Sequence, residues 1–315
     1  GLGRAWVLAA PIEDPADVEA IAEAFVLAPH PGVRELLVPW LEDDDPGRRS
    51  VALSALASRG EVSVDAVVAR LADPHPWVAA EAARACRWLP AQAVPAELER
   101  LADSTEDEVA SAALRSLARH DRRVALERAL VLCAAGNPGF ADAATIVALF
   151  GRARDTALLL DLCAAPGPAS AAALGRFGSV AAVPALLDRA AGGDEVEAAA
   201  ARAALARITG ADLGEDGADP DAWRRWWSQH LERFDPARRW RRGKPYSVAV
   251  LVDELEGGPG DRESRDGTAL ELERLFGDHA PRLDVRWFVP AQERALAEWR
   301  RHAERDATAA AGWRD

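Results

Sequence analysis

PWLEDDDPGRRSVALSALASRG (39–60), ARLADPHPWVAAEAARACRWLP (69–90) and ERLADSTEDEVASAALRSLARH (99–120) are three versions of one line. Leu41, Leu71 and Leu101 stand thirty residues apart, and each closes a helical segment just before an acidic break. A fixed period of this size marks a chain built from one repeated supersecondary unit, stacked so that neighbours bury each other's apolar faces. Within a unit the signs are local. Val33, Leu36, Leu37, Trp40 and Leu41 line one face of a first helix. Asp45-Pro46 then caps and opens a second helix, because proline fits a first turn that needs no backbone donor. Val51, Ala52, Ala55 and Leu56 line that second helix, and Gly60 stops it.

Working outward, the later stop points are Pro90, His120, Gly151, Gly178 and Gly210, at steps of 30, 30, 31, 27 and 32 residues. The pattern predicts six units over 31–210, with those in 121–178 the most eroded. Residues 1–30 read as a lead-in pair of helices, with Asp14 or Asp17 capping the one that carries Val18, Ile21, Ala22 and Phe25. The expected architecture is all-α: an α-solenoid of about six helix pairs followed by a helical cap and extension.

Composition agrees. Nearly half of the 315 residues are hydrophobic but only 6% are aromatic, and alanine supplies much of the apolar count, which suits closely stacked helices better than sheets. The formal charge of −13 argues against a nucleic-acid scaffold, which carries a basic footprint. Lys244 is the only lysine and methionine is absent, which reads as genome composition bias. The start at Gly1 reads as a fragment, a processed form or a tagged form. Cys86, Cys133 and Cys163 form no CxxC pair and are odd in number, so a reducing cytoplasmic setting is the simpler expectation. No stretch approaches the roughly 20 apolar residues of a membrane span.

The second-helix pattern Val-Arg-x-Ala-Ala-x-x-Ala-Leu appears as Arg48-Arg49-Ser50-Val51-Ala52-Leu53-Ser54-Ala55-Leu56. It recurs as Val78-Ala79-Ala80-Glu81-Ala82-Ala83-Arg84-Ala85-Cys86 and as Val109-Ala110-Ser111-Ala112-Ala113-Leu114-Arg115-Ser116-Leu117, and FGSVAAVPALLDRAA (177–191) is a further match. These units resemble HEAT repeats of the short, HEAT-like type over about two thirds of the chain, although the usual arginine survives only as Arg49. The whole layout, repeats followed by ITGADL (208–213), a WW-containing helix and a GKP turn, resembles an uncharacterised bacterial HEAT-repeat family often encoded near type VI secretion loci. That resemblance implies a cytoplasmic accessory or scaffold role and carries over no catalytic residue.

Beyond the repeats, 211–221 is an acidic, Gly/Pro-broken linker. The segment 222–245 is a Trp/Arg-rich cap with eight Arg/Lys against two acids, and 246–315 returns to helical periodicity. In the last part, GGPGDRESRDG (257–267) reads as a flexible loop, 283–289 alternates like a short extended piece, and 291–305 reads as a final helix. Trp223, Trp227, His230, Leu231 and Phe234 share one helical face, as expected of a capping helix that hides the open end of a stack. Trp226 lies on the flank of that stripe, as an exposed anchor would.

No zinc spacing joins the six histidines and three cysteines, no phosphate loop or nucleophile elbow is present, and Asp212, Glu215, Asp216, Asp219 and Asp221 lack the order of a calcium loop. No cofactor or metal is expected. Two basic sets remain as partner-binding candidates. Arg84, Arg115 and Arg202 fall at one equivalent position of three second helices, with Ser54 matching in the first, and stacking would align them as a ladder on the concave side. Trp226 with Arg238, Arg239, Arg241 and Arg242 forms the second set, suited to an acidic protein surface or segment. The expected function is a non-enzymatic protein-interaction scaffold whose oligomeric state the sequence leaves open. The alternative is a HEAT-like enzyme of lyase or DNA glycosylase type working in the concave groove. Against a lyase, the groove offers only Cys133 and Cys163; against a glycosylase, residues 1–210 count 20 Arg and 29 acids.

Overall fold

A computed structural model describes residues 11–28, 30–90, 96–135, 140–164, 167–192, 194–257, 262–276, 281–287 and 289–305. These are all-α apart from one two-stranded hairpin. The helices in chain order are α1 (Pro15–Leu27), α2 (Val33–Leu37), α3 (Pro46–Arg59), α4 (Val64–Arg70), α5 (Pro76–Cys86), α6 (Glu97–Leu101), α7 (Asp107–His120), α8 (Arg122–Ala135), α9 (Phe140–Phe150), α10 (Thr156–Leu162), α11 (Pro168–Phe177), α12 (Val183–Ala190), α13 (Glu195–Thr209), α14 (Pro220–His230), α15 (Val248–Gly257), α16 (Arg262–Phe276) and α17 (Val289–Arg305). Six pairs, from α2/α3 to α12/α13, follow the six units of the sequence. The chain divides into two compact units: residues 1–124 with 276–293, and residues 125–275 with 294–315.

In the first unit the second helices form the spine: α1 packs on α3, α3 on α5, and α5 on α7, with the shorter first helices α2, α4 and α6 laid against their partners. Alanine at one contact position after another lets the helices approach closely, while Val51, Leu53, Leu56, Val78, Leu114 and Leu117 fill the layers between them. Each buried Val or Leu contributes roughly 1.5–3 kcal/mol of transfer free energy. The breaks behave as the residues dictate. The Asp45 side chain accepts from the Gly47 N–H with Pro46 in the first turn, and Gly60 ends α3 in the left-handed region at φ 72°. Arg49 reaches from α3 to the break before α5, where its Nε and Nη2 meet the two carboxylate oxygens of Asp73 at 3.0 and 2.9 Å. That bidentate pair ties α3 to the break before α5.

In the second unit α9 packs on α11 and α11 on α13, again through second helices, with α12 against α13 and α14 against α12. Gly175 of α11 lies so close to Ala204 of α13 that a Cβ there would meet the Ala204 Cβ at 2.8 Å. The hairpin β1 (Trp240–Arg241) and β2 (Lys244–Pro245) turns through Arg242 and Gly243, both at positive φ, and β1 rests on α13.

Three expectations beyond the repeats are corrected. Residues 262–267 are helical, not loop: Gly267 lies inside α16, where a Cβ would come within 2.5 Å of the Arg176 guanidinium, so this glycine makes room for a side chain and does not break a helix. Residues 281–287 contain no strand and run as an irregular segment with one turn. The linker is structured as a 3-10 turn at Gly214–Ala218, after which Asp219 caps α14 through the Asp221 N–H. The expected first lead-in helix falls on residues 1–10, outside the described residues.

Candidate interaction surface

Positions 54, 84 and 115 are equivalent in α3, α5 and α7, and the structure stacks those three helices side by side. Four residues further along lie Ser58 and Arg119, in the last turns of α3 and α7, and Trp88, in the turn just after α5, with the Arg119 guanidinium 5.7 Å from the Trp88 ring centroid. Arg84 is 41% exposed; its Nη1 contacts Glu81 at 2.5 Å and its Nη2 donates to Glu108 of α7 at 2.7 Å. Arg115 is half-buried at the matching place on α7. Arg202, on α13 of the second unit, is half-buried and pairs with Glu195 at 2.5 Å. Arg84 and Arg202 are therefore charge-paired on their own units, each in a pair with at least one largely solvent-exposed partner, and pairs near the surface contribute about 0–1 kcal/mol, weak enough for a competing carboxylate to exchange in.

The first place in each row of the first unit is already covered. Residues 281–287 lie across Ser54, Ser58 and Trp88. Arg282 donates from Nη2 to the carbonyls of Ala57 and Ser58, the latter at 3.1 Å. Trp287 Nε1 donates to the same Ser58 carbonyl at 3.0 Å. These are last-turn carbonyls of α3, that of Ala57 also accepting from the Gly60 N–H at 3.0 Å, and a cation there complements the helix dipole. The Arg282 guanidinium sits 4.4 Å from the Trp88 ring centroid and 5.7 Å from that of Trp287. Gly60 leaves the space, since a Cβ there would meet Arg282 Nη1 at 2.9 Å. Ser58 Oγ donates to Asp284 Oδ2 at 2.7 Å, and Arg286 binds Asp284 while its Nη1 donates to Ser54 Oγ at 2.8 Å. Burial alone would raise the Asp284 carboxyl. The Arg286 charge, the hydrogen bonds from Arg286 and the Ser58 hydroxyl outweigh it and hold the group at about 2. Sequence reading missed this constellation because its partners lie far apart in the chain, Ser54, Ala57, Ser58 and Trp88 against residues 282–287. The one available signal was Arg-x-Asp-x-Arg-Trp at 282–287, a charged and aromatic cluster in a segment with no helical period.

The Trp/Arg segment divides differently from expectation. Arg239 and Arg241 are 1% and 0% exposed and belong to the interior of the second unit. Arg239 donates from Nε to the Phe177 carbonyl at 2.8 Å and from Nη2 to the Arg176 carbonyl at 3.0 Å, capping α11, and stacks 4.2 Å from the Tyr246 ring centroid. Arg241 binds Glu254 of α15 at 2.6 Å and Glu271 of α16 at 2.7 Å; Arg176 reaches the same Glu271 oxygen at 3.4 Å. Arg207 of α13 joins the edge of this network through Ser264 Oγ at 2.5 Å. Burial, with Arg241 and Arg176 nearby, lowers its guanidinium to about 10. The run of arginines read as a partner-binding set because sequence carries no record of Glu254 and Glu271 arriving beneath it. Arg238 remains exposed and Arg242 half-exposed.

Trp223 is buried and donates from Nε1 to the Gly217 carbonyl at 3.0 Å. Trp226 and Trp227 are both half-buried: Trp226 stacks on His230 at 4.3 Å between centroids, and Trp227 lies 5.3 Å from Phe234. The expected contrast between a buried Trp227 and an open Trp226 is therefore not what the packing gives. Leu231 is exposed, because a 3-10 turn at Leu231–Arg233 rotates it off the stripe.

Burial pushes the thiols up, Cys86 and Cys133 to about 12 and Cys163 to about 11. Such groups are protonated at neutral pH and poor nucleophiles. Among the described residues no group of three His, Cys, Asp or Glu is placed to hold a metal ion, and no helix is long and apolar enough to cross a membrane.

No curated protein matches the chain. Residues 34–118 match the family model for HEAT repeats, the stretch that runs from α2 to α7, and the helix pairs there carry the fold of a HEAT-repeat protein.

Proposed function

We propose that this protein is a non-enzymatic scaffold or adaptor that holds another protein on the faces of its second helices. The observation that carries this reading is the stacked row of α3, α5 and α7, within the stretch matched by the HEAT family model, with Arg84 exposed on it and held only by exchangeable carboxylates. The ligand suited to that row is an acidic protein surface or segment, whose carboxylates would replace Glu81 and Glu108 around the guanidinium. Arg115 and Arg202 extend the same logic at their own helices. Trp226, Arg238 and Arg242 form a second candidate contact on the second unit, while Arg239 and Arg241 serve that unit's interior. The net charge of −13 supports a protein ligand over nucleic acid. The resemblance of the layout to a bacterial family encoded near type VI secretion loci supports a cytoplasmic accessory role in a secretion system.

The test is binding of a partner isolated from the host and purified. Arg84→Glu with Arg115→Glu should abolish binding with the melting temperature nearly unchanged, whereas Cys133→Ser and Cys163→Ser should leave binding intact. Full binding by the double variant and by an Arg238→Glu/Arg242→Glu variant would refute the reading.

A further inference from the structure

We propose that the face of α3 and α5 around Ser54, Ser58 and Trp88 is a docking groove for an extended peptide, and that residues 281–287 are its resident, displaceable occupant. The partner it fits is a protein segment of the same chemistry: a carboxylate with an arginine two residues to either side, followed by a tryptophan. The inference rests on the scaffold reading and names a partner contact for the same surface.

Three observations carry it. First, the groove recognises side chains at defined places. The Ser58 hydroxyl takes the carboxylate, the Ser54 hydroxyl takes one guanidinium, the carbonyls of Ala57 and Ser58 take the other guanidinium and the indole N–H, and Trp88 supplies the ring against which the first guanidinium stacks. Second, the occupant contributes no regular element: residues 281–287 pair with no strand, and the segment is held by side-chain contacts together with the burial of Leu283 and Asp284, the combination a separate peptide uses. Third, the covered residues belong to the rows that continue to Arg84 and Arg115 on α5 and α7. Ser54 is their equivalent on α3, and Trp88 stands one turn from Arg84. The intramolecular segment thus occupies one end of the proposed interaction surface, and a partner peptide entering there extends directly toward the exposed arginine.

The arrangement has the logic of a tethered competitor. A segment on the same chain competes at a high effective concentration, so a partner peptide binds in trans only when it outcompetes that segment or when the segment is weakened.

The experiment uses the full chain and a fluorescein-labelled synthetic peptide spanning residues 279–290. Binding is measured by anisotropy for the wild type, for Arg282→Ala/Trp287→Ala and for the milder Asp284→Asn. The groove account expects at least tenfold tighter binding by the double variant than by the wild type, an intermediate value for Asp284→Asn, and loss of binding when Trp88→Ala is added. A peptide with Asp284 replaced by arginine should not bind. If neither variant binds more tightly than the wild type, or if both lose a cooperative melt, the segment is an integral part of its unit and the proposal fails. A wild-type dimer that the peptide dissociates would assign the groove to a second copy and would equally overturn a heterologous partner. Because the readout is a defined peptide, failure here leaves the Arg84/Arg115 binding test standing on its own result.

Discussion

The two units hold their C-terminal partners by opposite means. In the second, α15 and α16 are anchored through buried charge: Arg241 lies between Glu254 and Glu271, with Arg176 on the same Glu271 oxygen and all of them shielded from water. In the first, residues 281–287 are anchored on the rim of α3, where arginine and tryptophan donors meet helix-end carbonyls and two serine hydroxyls. The first kind of contact cannot be opened without stranding an ion in an apolar interior. Release of the second strands no lone ion on the unit, because the groups left behind are serine hydroxyls and helix-end carbonyls, although it also exposes the buried Leu283. Both contacts are buried, Asp284 as deeply as Glu254, and they differ in where the ion pair lies: Arg241 pairs with carboxylates on two other helices, whereas Asp284 pairs with Arg286 on its own segment.

The largest effect should come from the buried network. Arg241→Ala leaves Glu254 and Glu271 without their shared cation and should cost about 3–5 kcal/mol, the usual loss when one side of a buried pair is removed. Denaturant unfolding followed by circular dichroism measures it, and a loss below 1 kcal/mol would show that water reaches the site. Trp223→Ala comes next. The ring is buried and its N–H is satisfied by Gly217, so the truncation should cost about 3–4 kcal/mol. Trp226→Ala and Trp227→Ala, both half-buried, should each cost clearly less and by similar amounts. A Trp227 loss equal to that of Trp223 would restore the simple capping stripe.

The rim contact should be weaker and dependent on pH. Asp284 is held at about 2 in the folded chain, below the ordinary aspartate value near 3.9. A carboxyl depressed by folding stabilises the fold fully above its unfolded value and loses that contribution as pH falls toward the folded one. The advantage of the wild type over Asp284→Asn should therefore shrink by about 2 kcal/mol between pH 5 and pH 2. A difference that stays constant across that window would mean that Arg286 and Ser58 do not hold the carboxylate. The smallest effect is expected at Arg84→Glu, about 1 kcal/mol or less in thermal unfolding, since its pair with Glu108 is exposed and that with Glu81 only half-buried. A large destabilisation there would make the row structural.

What could be read from the sequence was what is local. The stop residues Gly60, Gly178 and Gly210 take the left-handed conformation their positions called for, and Asp45-Pro46 caps and opens α3 as written. The repeat period and the alanine pattern likewise fall where helices stack. The arginines were legible as a set but not in their fates. Arg84 and Arg239 look alike in the sequence, and only the arrival of Tyr246 and Glu271 on later elements separates the surface residue from the interior one. Gly267 was misread for the same reason: its role is set by Arg176, ninety residues earlier, and not by its neighbours in the chain. The groove over Ser54 and Ser58 was invisible because two serines on a helix face carry no signal until a segment from the far end of the chain lies on them.

Native-state hydrogen exchange on the wild-type chain tests the contrast most directly, because amides report opening free energies segment by segment. Residues 281–287 should exchange through a local opening far less costly than the one that exposes α3 and α5, while α15 and the described part of α16 from Thr268 to Glu273 exchange only with the core of their own unit. Exchange of residues 281–287 at the same free energy as α3 and α5 would contradict the account, and would make the C-terminal segment as permanent a part of its unit as the buried arginine network is of the other.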